Sequence, residues 1–561
     1  MLIAVAPDGS GGGELCPLGP DGAVAESPAA VSDLAAAVAE WEARAAPRWL
    51  WASAAGVAPG LLRAGVRVGR CHDVELVEGL LLACAGRWGE PRSAAAVVAR
   101  RDGRPAPADP PARAAEPPGG GQGALFTPAV AGSLPDVVAG YGDQVARLAA
   151  GPEPGRLRLL AAAESAGALV AAEMGHEGLP WRADVHRDLL VELLGAPSPV
   201  GGPPARLVEL SARIAAAFGV RALHPERPAE VVRAFARAGI PVANTRSWVL
   251  RGVDHPAVPL LLDFKERYRI WTAHGWSWLD AWVRDGRFRP EYVPAGVVSG
   301  RWATRGGGAL QIPRVIRRAV VADPGWRLVV ADAGQLEPRV LAAISGDERL
   351  AAAGASGDLY AALADGAFGG DRARAKVALL GAMYGQTGGA AVPALAALRH
   401  GYPVAWEFLE AAARTGEAGG LVRSWLGRTC PPPSADARDL LDGGPGEPVG
   451  PVGSESDGAA ARSRARARGR FTRNFVVQAT AAEWALTLLA TLRTALWGMR
   501  ARLVFFQHDE VVVHCPADEA AAVTAAMSAA GRQAAGLLFG ATPVRFPTDA
   551  RVVDCYADAT H

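Results

Sequence analysis

The chain has 561 residues, is 50% hydrophobic and 20% charged, and carries a formal net charge of +1. A sizeable core is available, so whole-chain disorder is excluded, and about three to five packing units are expected. With so little net charge, nucleic-acid binding has to come from local patches and not from a global field. No apolar run reaches the ~18 residues of a bilayer-spanning segment. The N-terminal Met1–Ala6 lacks the basic region and small-residue cleavage site of a secretory signal. Six cysteines lie far apart without a C-x-x-C pair, which indicates neither a disulfide framework nor a zinc site. A cytoplasmic setting without a membrane partner is expected.

Residues 1–150 read as a mixed α/β unit. Leu2–Ala6 and Arg48–Ser53 are strand candidates, and Val31–Arg44 and Val74–Cys84 are helix candidates, the latter with Asp73 near its start. Gly103–Gly121 is rich in Pro, Gly and Ala and reads as a flexible loop. Residues 155–300 are mostly helical, with Arg156–Met174, Arg206–Phe218, Pro228–Ala238 and Val258–Trp282 as candidates. Trp326–Ala331 is a strand followed by a helix over Gln335–Ile344, where Pro338 is tolerable only in the first turn. Asp371–Tyr384 is a further helix. Pro431–Ala461 reads as a low-complexity insert that runs into the arginine-rich Arg462–Arg470. A helix follows from Asn474 to Leu496. Leu503–Phe506 and Val511–Cys515 form a hairpin about Gln507-His508-Asp509-Glu510, and Pro516–Leu538 is the final helix.

Residue usage singles out particular positions. Of 58 basic residues other than His only two are lysine, Lys265 and Lys376, and asparagine occurs only as Asn244 and Asn474. That bias points to a GC-rich bacterial genome, in which a lysine is a rare choice. Three segments then concentrate chemistry. Asp332-Ala-Gly-Gln-Leu-Glu-Pro-Arg339 puts a carboxylate at the end of a buried strand, where a ligand can approach; Asp332 serves equally as an ordinary N-cap. His508-Asp509-Glu510 crowds two acids and an imidazole at a hairpin tip, without the Gly or Asn usual in tight hairpin turns. Arg372, Lys376, Leu380 and Tyr384 recur every fourth residue, a stripe about 18 Å long on one helix. Such a stripe is also what a solvated cationic face looks like, although arginine would serve that purpose in this chain. Taken together, Asp332 and Asp509 could share a pair of divalent cations while the cationic helix holds phosphates, the apparatus of in-line nucleotidyl transfer.

These segments resemble the three motifs of the family-A DNA polymerases, the DNA polymerase I type. Asp332-x-x-Gln335-Leu-Glu337-x-Arg339 resembles motif A, Arg372-x-x-x-Lys376-x-x-x-Leu380-Gly-x-x-Tyr384-Gly385 motif B, and Gln507–Glu510 motif C. Gly300-Arg301, Leu310-Gln311-Ile-Pro313 and Arg470-x-x-x-Asn474-x-x-x-Gln478-Ala-Thr-Ala-Ala482 are similar to the stretches that frame those motifs. The resemblance covers about 160–561. It implies an α/β multidomain protein: a right-hand polymerase with an N-terminal ribonuclease-H-like exonuclease-type unit at 1–150. The polymerase region would span 155–561, with thumb at 200–290, palm at 295–350 and 490–561, and fingers at 351–485. The implied reaction is templated addition of dNTPs to a primer 3′-hydroxyl, in replication or repair, by a monomer associated with the nucleoid.

The resemblance also implies roles. Asp332 and Asp509 would bind two Mg2+ ions and Glu510 would be an auxiliary acid at the primer terminus. Gln335, Arg372, Lys376, Leu380 and Tyr384 would bind the nucleotide, with Lys376 donating a proton to pyrophosphate. Glu337 would exclude a ribose 2′-hydroxyl. Arg301, Gln311, Arg470, Asn474, Gln478 and His508 would contact primer–template DNA, and Lys265 would lie on a helix that tracks the duplex. Ala333 and Gly334 replace the family's Tyr and Ser, Leu380 replaces an aromatic residue, and Tyr360 stands where a histidine often contacts phosphate. In residues 1–150 the acidic motifs of a proofreading site are missing, so that unit is expected to be inactive, and a 5′-nuclease domain is expected to reside elsewhere. The alternatives are a single-subunit RNA polymerase and a non-catalytic DNA-binding relative.

Overall fold

The computed structural model describes residues 1–110, 132–198, 201–385, 391–432, 456–507 and 509–559. Much of the expected loop at Gly103–Gly121 and of the insert at Pro431–Ala461 lies outside them, as does His508. The N-terminal unit is built on five strands, β1 (Leu2–Pro7), β2 (Gly13–Leu18), β3 (Ala29–Val31), β4 (Arg48–Trp51) and β5 (Arg70–Asp73), in the order β3-β2-β1-β4-β5. β1, β4 and β5 run parallel and β2 and β3 antiparallel. Apolar side chains on both faces, including the fully buried Trp49 and Trp51, are covered by helices, as a sheet with parallel strands requires.

The second sheet carries the aspartates of the candidate site. Its strands are β6 (Trp326–Ala333), β7 (Arg502–Gln507), β8 (Glu510–Pro516) and β9 (Thr548–Val553), in the order β7-β8-β6-β9, all antiparallel. β6 is central and its Leu328, Val329 and Val330 are buried. α1 (Pro154–Glu177) and α5 (Ala520–Phe539) pack on this sheet, α2 (Leu336–Ile344) leads on from β6, α4 (Ser456–Ala495) packs on those three helices, and α3 (Arg372–Tyr384) packs on α4. Pro338 falls in the first turn of α2, where its missing N–H costs nothing.

Two elements differ from expectation. The single helix expected over Val258–Trp282 is two, Ala257–His274 and Trp276–Trp282. They are separated by Gly275, whose backbone is extended and packs so closely on the Trp271 carbonyl that a Cβ would lie 2.3 Å from it. α4 begins at Ser456, well before Asn474, because the Ala- and Arg-rich run has high helix propensity. Part of this helix, Arg462–Ala495, is long and apolar enough to cross a membrane, but 83% of its most apolar window is buried inside the protein. It is the core helix of the C-terminal half.

α1 and α4 fasten the two halves together. The buried Arg493 near the end of α4 donates to Glu173 on α1 at 3.0 and 2.8 Å, to the Gly69 carbonyl at 2.7 Å, and to the Val68 carbonyl. Arg67 also pairs with Glu173, at 3.1 Å. Burial raises the Glu173 pKa, but the two guanidiniums outweigh it and hold the carboxyl below its ordinary value.

Candidate active site

Asp332 lies one residue from the end of the central strand β6. In register it stands opposite Glu510 on β8 and Asp549 on β9, so three carboxylates occupy one level of the sheet, and directly opposed residues share a face. Asp549 is exposed and no sequence pattern drew attention to it. Asp509 occupies the turn between β7 and β8, and its carbonyl accepts from the Ala333 amide at 3.2 Å. Its carboxyl is pushed up to about 7 by burial and then by the negative charge of Asp332, with Arg301 opposing. The sheet therefore brings together the two aspartates that the sequence singled out.

Glu510 is held rather than free. Arg317 approaches it at 3.2 Å and stacks over the Tyr556 ring at 4.3 Å, and the Tyr556 hydroxyl donates to Glu510. The same guanidinium reaches Gln507 Oε1 at 3.4 Å, and Gln507 Nε2 donates to the Leu310 carbonyl at 2.9 Å. The hairpin is thus tied to the segment that carries the exposed Gln311. Neither Arg317 nor Tyr556 was legible as a site residue, because each acts through a partner about 190 and 46 residues away in sequence.

Glu337, in the first turn of α2, is the hub of the site. Arg301 forms an ion pair with it, and the Tyr384 hydroxyl donates to it at 2.8 Å. Asn474 bonds the same tyrosine, whose pKa rises to about 12 through burial and then the Glu337 charge. Four residues from four separate segments therefore meet. Gln335 behaves differently from its expected nucleotide contact. It sits in the left-handed region at φ 60° as the cap of α2. Its side chain donates to Asp358 at 2.8 Å and accepts from the Leu359 amide at 2.9 Å, so both amide atoms are engaged by protein. Arg339 is buried and donates to five carbonyls, those of Gly334, Gly354, Ser356, Gly357 and Arg545. It braces the turn before α2 and the loop that follows the next helix, Glu348–Gly354.

On α3, Arg372, Lys376 and Tyr384 are exposed and Leu380 is half-buried, while Ala375, Ala378, Leu379, Ala382 and Met383 are buried. The four-residue stripe is therefore the open face of the helix. Arg372 donates to Asp358 at 2.7 Å and lies 5.6 Å from the Tyr360 ring. Burial would raise the Asp358 pKa, but Arg372 and Gln335 hold it down at about 2. The Lys376 ammonium lies 5.9 Å from the same ring and pairs with no carboxylate among the described residues. Gly385 closes α3 at φ 67°, and a Cβ there would meet Arg470 Cγ at 2.8 Å, so only glycine fits. Arg470, Asn474 and Gln478 follow one another at four-residue spacing on α4. Lys265 is half-buried and donates to Thr245 at 3.0 Å, which removes it from the free surface expected for a duplex-tracking side chain.

The matching of known families decides what this arrangement belongs to. Residues 238–539, more than half of the chain, match the model of DNA polymerase family A. The chain belongs to DNA polymerase family A. Among curated family-A relatives, DNA polymerase I of Chloroflexus aurantiacus is 30% identical over 264 residues, 42% of this chain and 26% of that protein. Thermostable DNA polymerase I of Thermus aquaticus is 27% identical over 325 residues, 53% of this chain and 36% of that protein. The chain thus spans about a quarter to a third of these relatives. The POL domain of Pol1 from M. smegmatis, solved with DNA primer-template and dNTP, superimposes with a TM-score of 0.71 at 18% identity, covering 100% of this chain and 96% of that one. The whole chain therefore has the fold of a family-A polymerase domain.

Proposed function

We propose that this family-A chain is a template-directed DNA polymerase that adds dNTPs to a primer 3′-hydroxyl, in replication or repair. The observation that carries the reading is the closeness of Asp332, at the end of the central strand β6, to Asp509 in the β7–β8 turn, with Arg372 and Lys376 on the open face of α3. In this reading the thumb is about 200–290, the palm 295–350 with 490–561, and the fingers 351–485. A monomer acting in the cytoplasm on nucleoid DNA is the corresponding setting.

The donor set suits divalent metal. Two neighbouring carboxylates, one of which resists ionisation through burial and then through the other's charge, form a site whose charge a cation would balance. Among the described residues no group of three or more His, Cys, Asp or Glu side chains is assembled for a metal. Mg2+ accordingly fits better than zinc, since it takes one or two carboxylates and fills its other positions with water and phosphate oxygens. Asp332 and Asp509 would hold two such ions, which when bound supply Lewis-acid activation and charge neutralisation.

The residues then divide the work. The primer 3′-oxygen attacks the α-phosphorus and the bond to pyrophosphate breaks. Lys376, exposed and without a carboxylate partner among the described residues, would hold the triphosphate and give the leaving pyrophosphate a proton. Arg372 joins it on release from Asp358. Glu337, fixed between Arg301 and Tyr384, forms a wall against a 2′-hydroxyl. Arg301, Gln311, Asn474 and Gln478 position the duplex without reading its sequence, and the expectation for His508 falls outside the described residues.

The N-terminal unit is read as a proofreading domain without its chemistry. Asp8, after β1, is exposed and bound to Ser10. Asp73, at the end of β5, is buried and caps two amides, those of Ala54 and Leu76. Primer extension on a templated duplex with Mg2+ and either dNTPs or rNTPs tests the reading. Extension with dNTPs and little with rNTPs is expected, without loss of the 3′ end when nucleotides are withheld. A preference for rNTPs, or DNA binding without extension, would overturn it.

A further inference from the structure

In the arginine run Arg462–Arg470, the arginines ahead of Arg470 have no role in the reaction described above. As an alternating sequence it suggests no single face, but the helix sorts it. Successive residues on an α-helix are about 100° apart, so positions four apart are neighbours. Arg462 and Arg466 therefore share a face that leads into Arg470, while Arg464 and Arg468 lie on the opposite one. Exposure divides them only in part: Arg462, Arg464, Arg466 and Arg470 are exposed, and Arg468 is buried with its guanidinium 5.5 Å from the Phe471 ring, so it is the line with Arg470 that sets Arg462 and Arg466 apart from Arg464.

Arg462 and Arg466 have no ion pair among the described residues. The acids of the neighbouring helix Pro403–Glu417 are placed otherwise. Glu410 pairs with Arg473, Glu407 pairs with Arg414, and Glu417 lies against Gly469. Two guanidiniums without an ion pair among the described residues thus extend the line Arg470, Asn474, Gln478 by about 12 Å along α4. That line passes the nucleotide end of α3, since Arg470 packs on Gly385 and Asn474 bonds Tyr384. At the other end of the line Ala482 and Leu486 lie beside Arg301 and Phe506, so the extension toward Arg462 leads the opposite way along α4.

We infer that Arg462 and Arg466 bind the phosphates of the unpaired template strand ahead of the insertion site. The inference rests on the polymerase reading. It assigns the stripe a single-stranded nucleic acid, recognised by charge and not by sequence. The positive line would hold the template before its base reaches Tyr384.

The test is equilibrium binding of the full chain to a primer–template across a salt series, with a long or a one-nucleotide 5′ template overhang. With the long overhang, the Arg462→Gln/Arg466→Gln variant should bind more weakly than wild type. Its dependence of log K on log salt should fall by about 1.4, about 0.7 for each single-strand phosphate contact. With the short overhang the two proteins should bind alike. Arg462→Lys/Arg466→Lys should restore the slope, which a folding defect would not allow, and Arg464→Gln on the opposite face should leave it unchanged. Equal binding of wild type and the glutamine variant on the long overhang would overturn the inference. So would an equal loss on both substrates, or the same loss from Arg464→Gln. In those cases wild-type extension would still stand for the polymerase reading. A wild type that extends no primer would remove that reading and the inference together.

Discussion

Asp509 shows most directly how the site's charge is arranged. Its carboxyl titrates near 7 instead of near 3.8, first because it is buried and then because Asp332 repels its ionised form. The raised value means that ionisation is costlier in the folded chain than in the unfolded one. The metal-free protein therefore loses stability as pH rises from about 4 to about 7, and the loss is complete above that range. Asp509→Asn removes the penalty. In the presence of a chelator at pH 8 the variant should be more stable than wild type by about 1–3 kcal/mol, with the difference vanishing near pH 4 in denaturant titrations. Mg2+ should stabilise wild type and leave the variant nearly unchanged. A variant no more stable at pH 8 would contradict this account of the pair. Asp332, Asp509 and Lys376 were legible in the sequence because of their residue types and, for Lys376, its rarity. The engagement of Gln335 by Asp358 and Leu359 was not, since it depends on a contact made by the fold.

The β7–β8 hairpin is the element on which the reaction would depend, and it is clamped from outside its own sequence. Arg317 touches Glu510, Gln507 and the face of Tyr556. Arg317→Met would take the guanidinium from the half-buried Glu510 and cost about 2–3 kcal/mol of stability. It should slow nucleotide addition about tenfold through misplacement of the turn, while the KM for dNTP changes little. Stability and turnover both within twofold of wild type would show that the clamp is dispensable. Elements with strong local signals were legible: Val74–Cys84 begins at its Asp73 cap and α3 at its Asp371 cap. The break at Gly275 was hidden, because apolar spacing continues across it and the steric reason lies in the Trp271 carbonyl. The early start of α4 was hidden by composition, since an Ala- and Arg-rich stretch beside Gly and Pro resembles an insert.

At the scale of the molecule, Arg493 joins the N-terminal sheet to the polymerase fold by bonding Glu173 and the carbonyls of Val68 and Gly69. Arg493→Met would leave Glu173 with Arg67 alone and should cost about 3 kcal/mol. Proteolysis should then release the N-terminal unit earlier than in wild type, and unchanged protease resistance would show that other contacts suffice. This join spans 320 residues of sequence, and no local pattern announces it. The order of the three motifs, by contrast, was readable along the chain, because each is a short segment of rare or charged residues set among apolar ones. The central claim is that Asp332 and Asp509 together form the centre of a DNA polymerase. It is tested most directly by single-nucleotide incorporation into a primed template with Mg2+, comparing wild type with Asp332→Ala and Asp509→Ala. The account predicts incorporation of the templated dNTP by wild type, at least about a thousandfold slower in each variant, with primer–template binding retained. Incorporation that survives either substitution would contradict it.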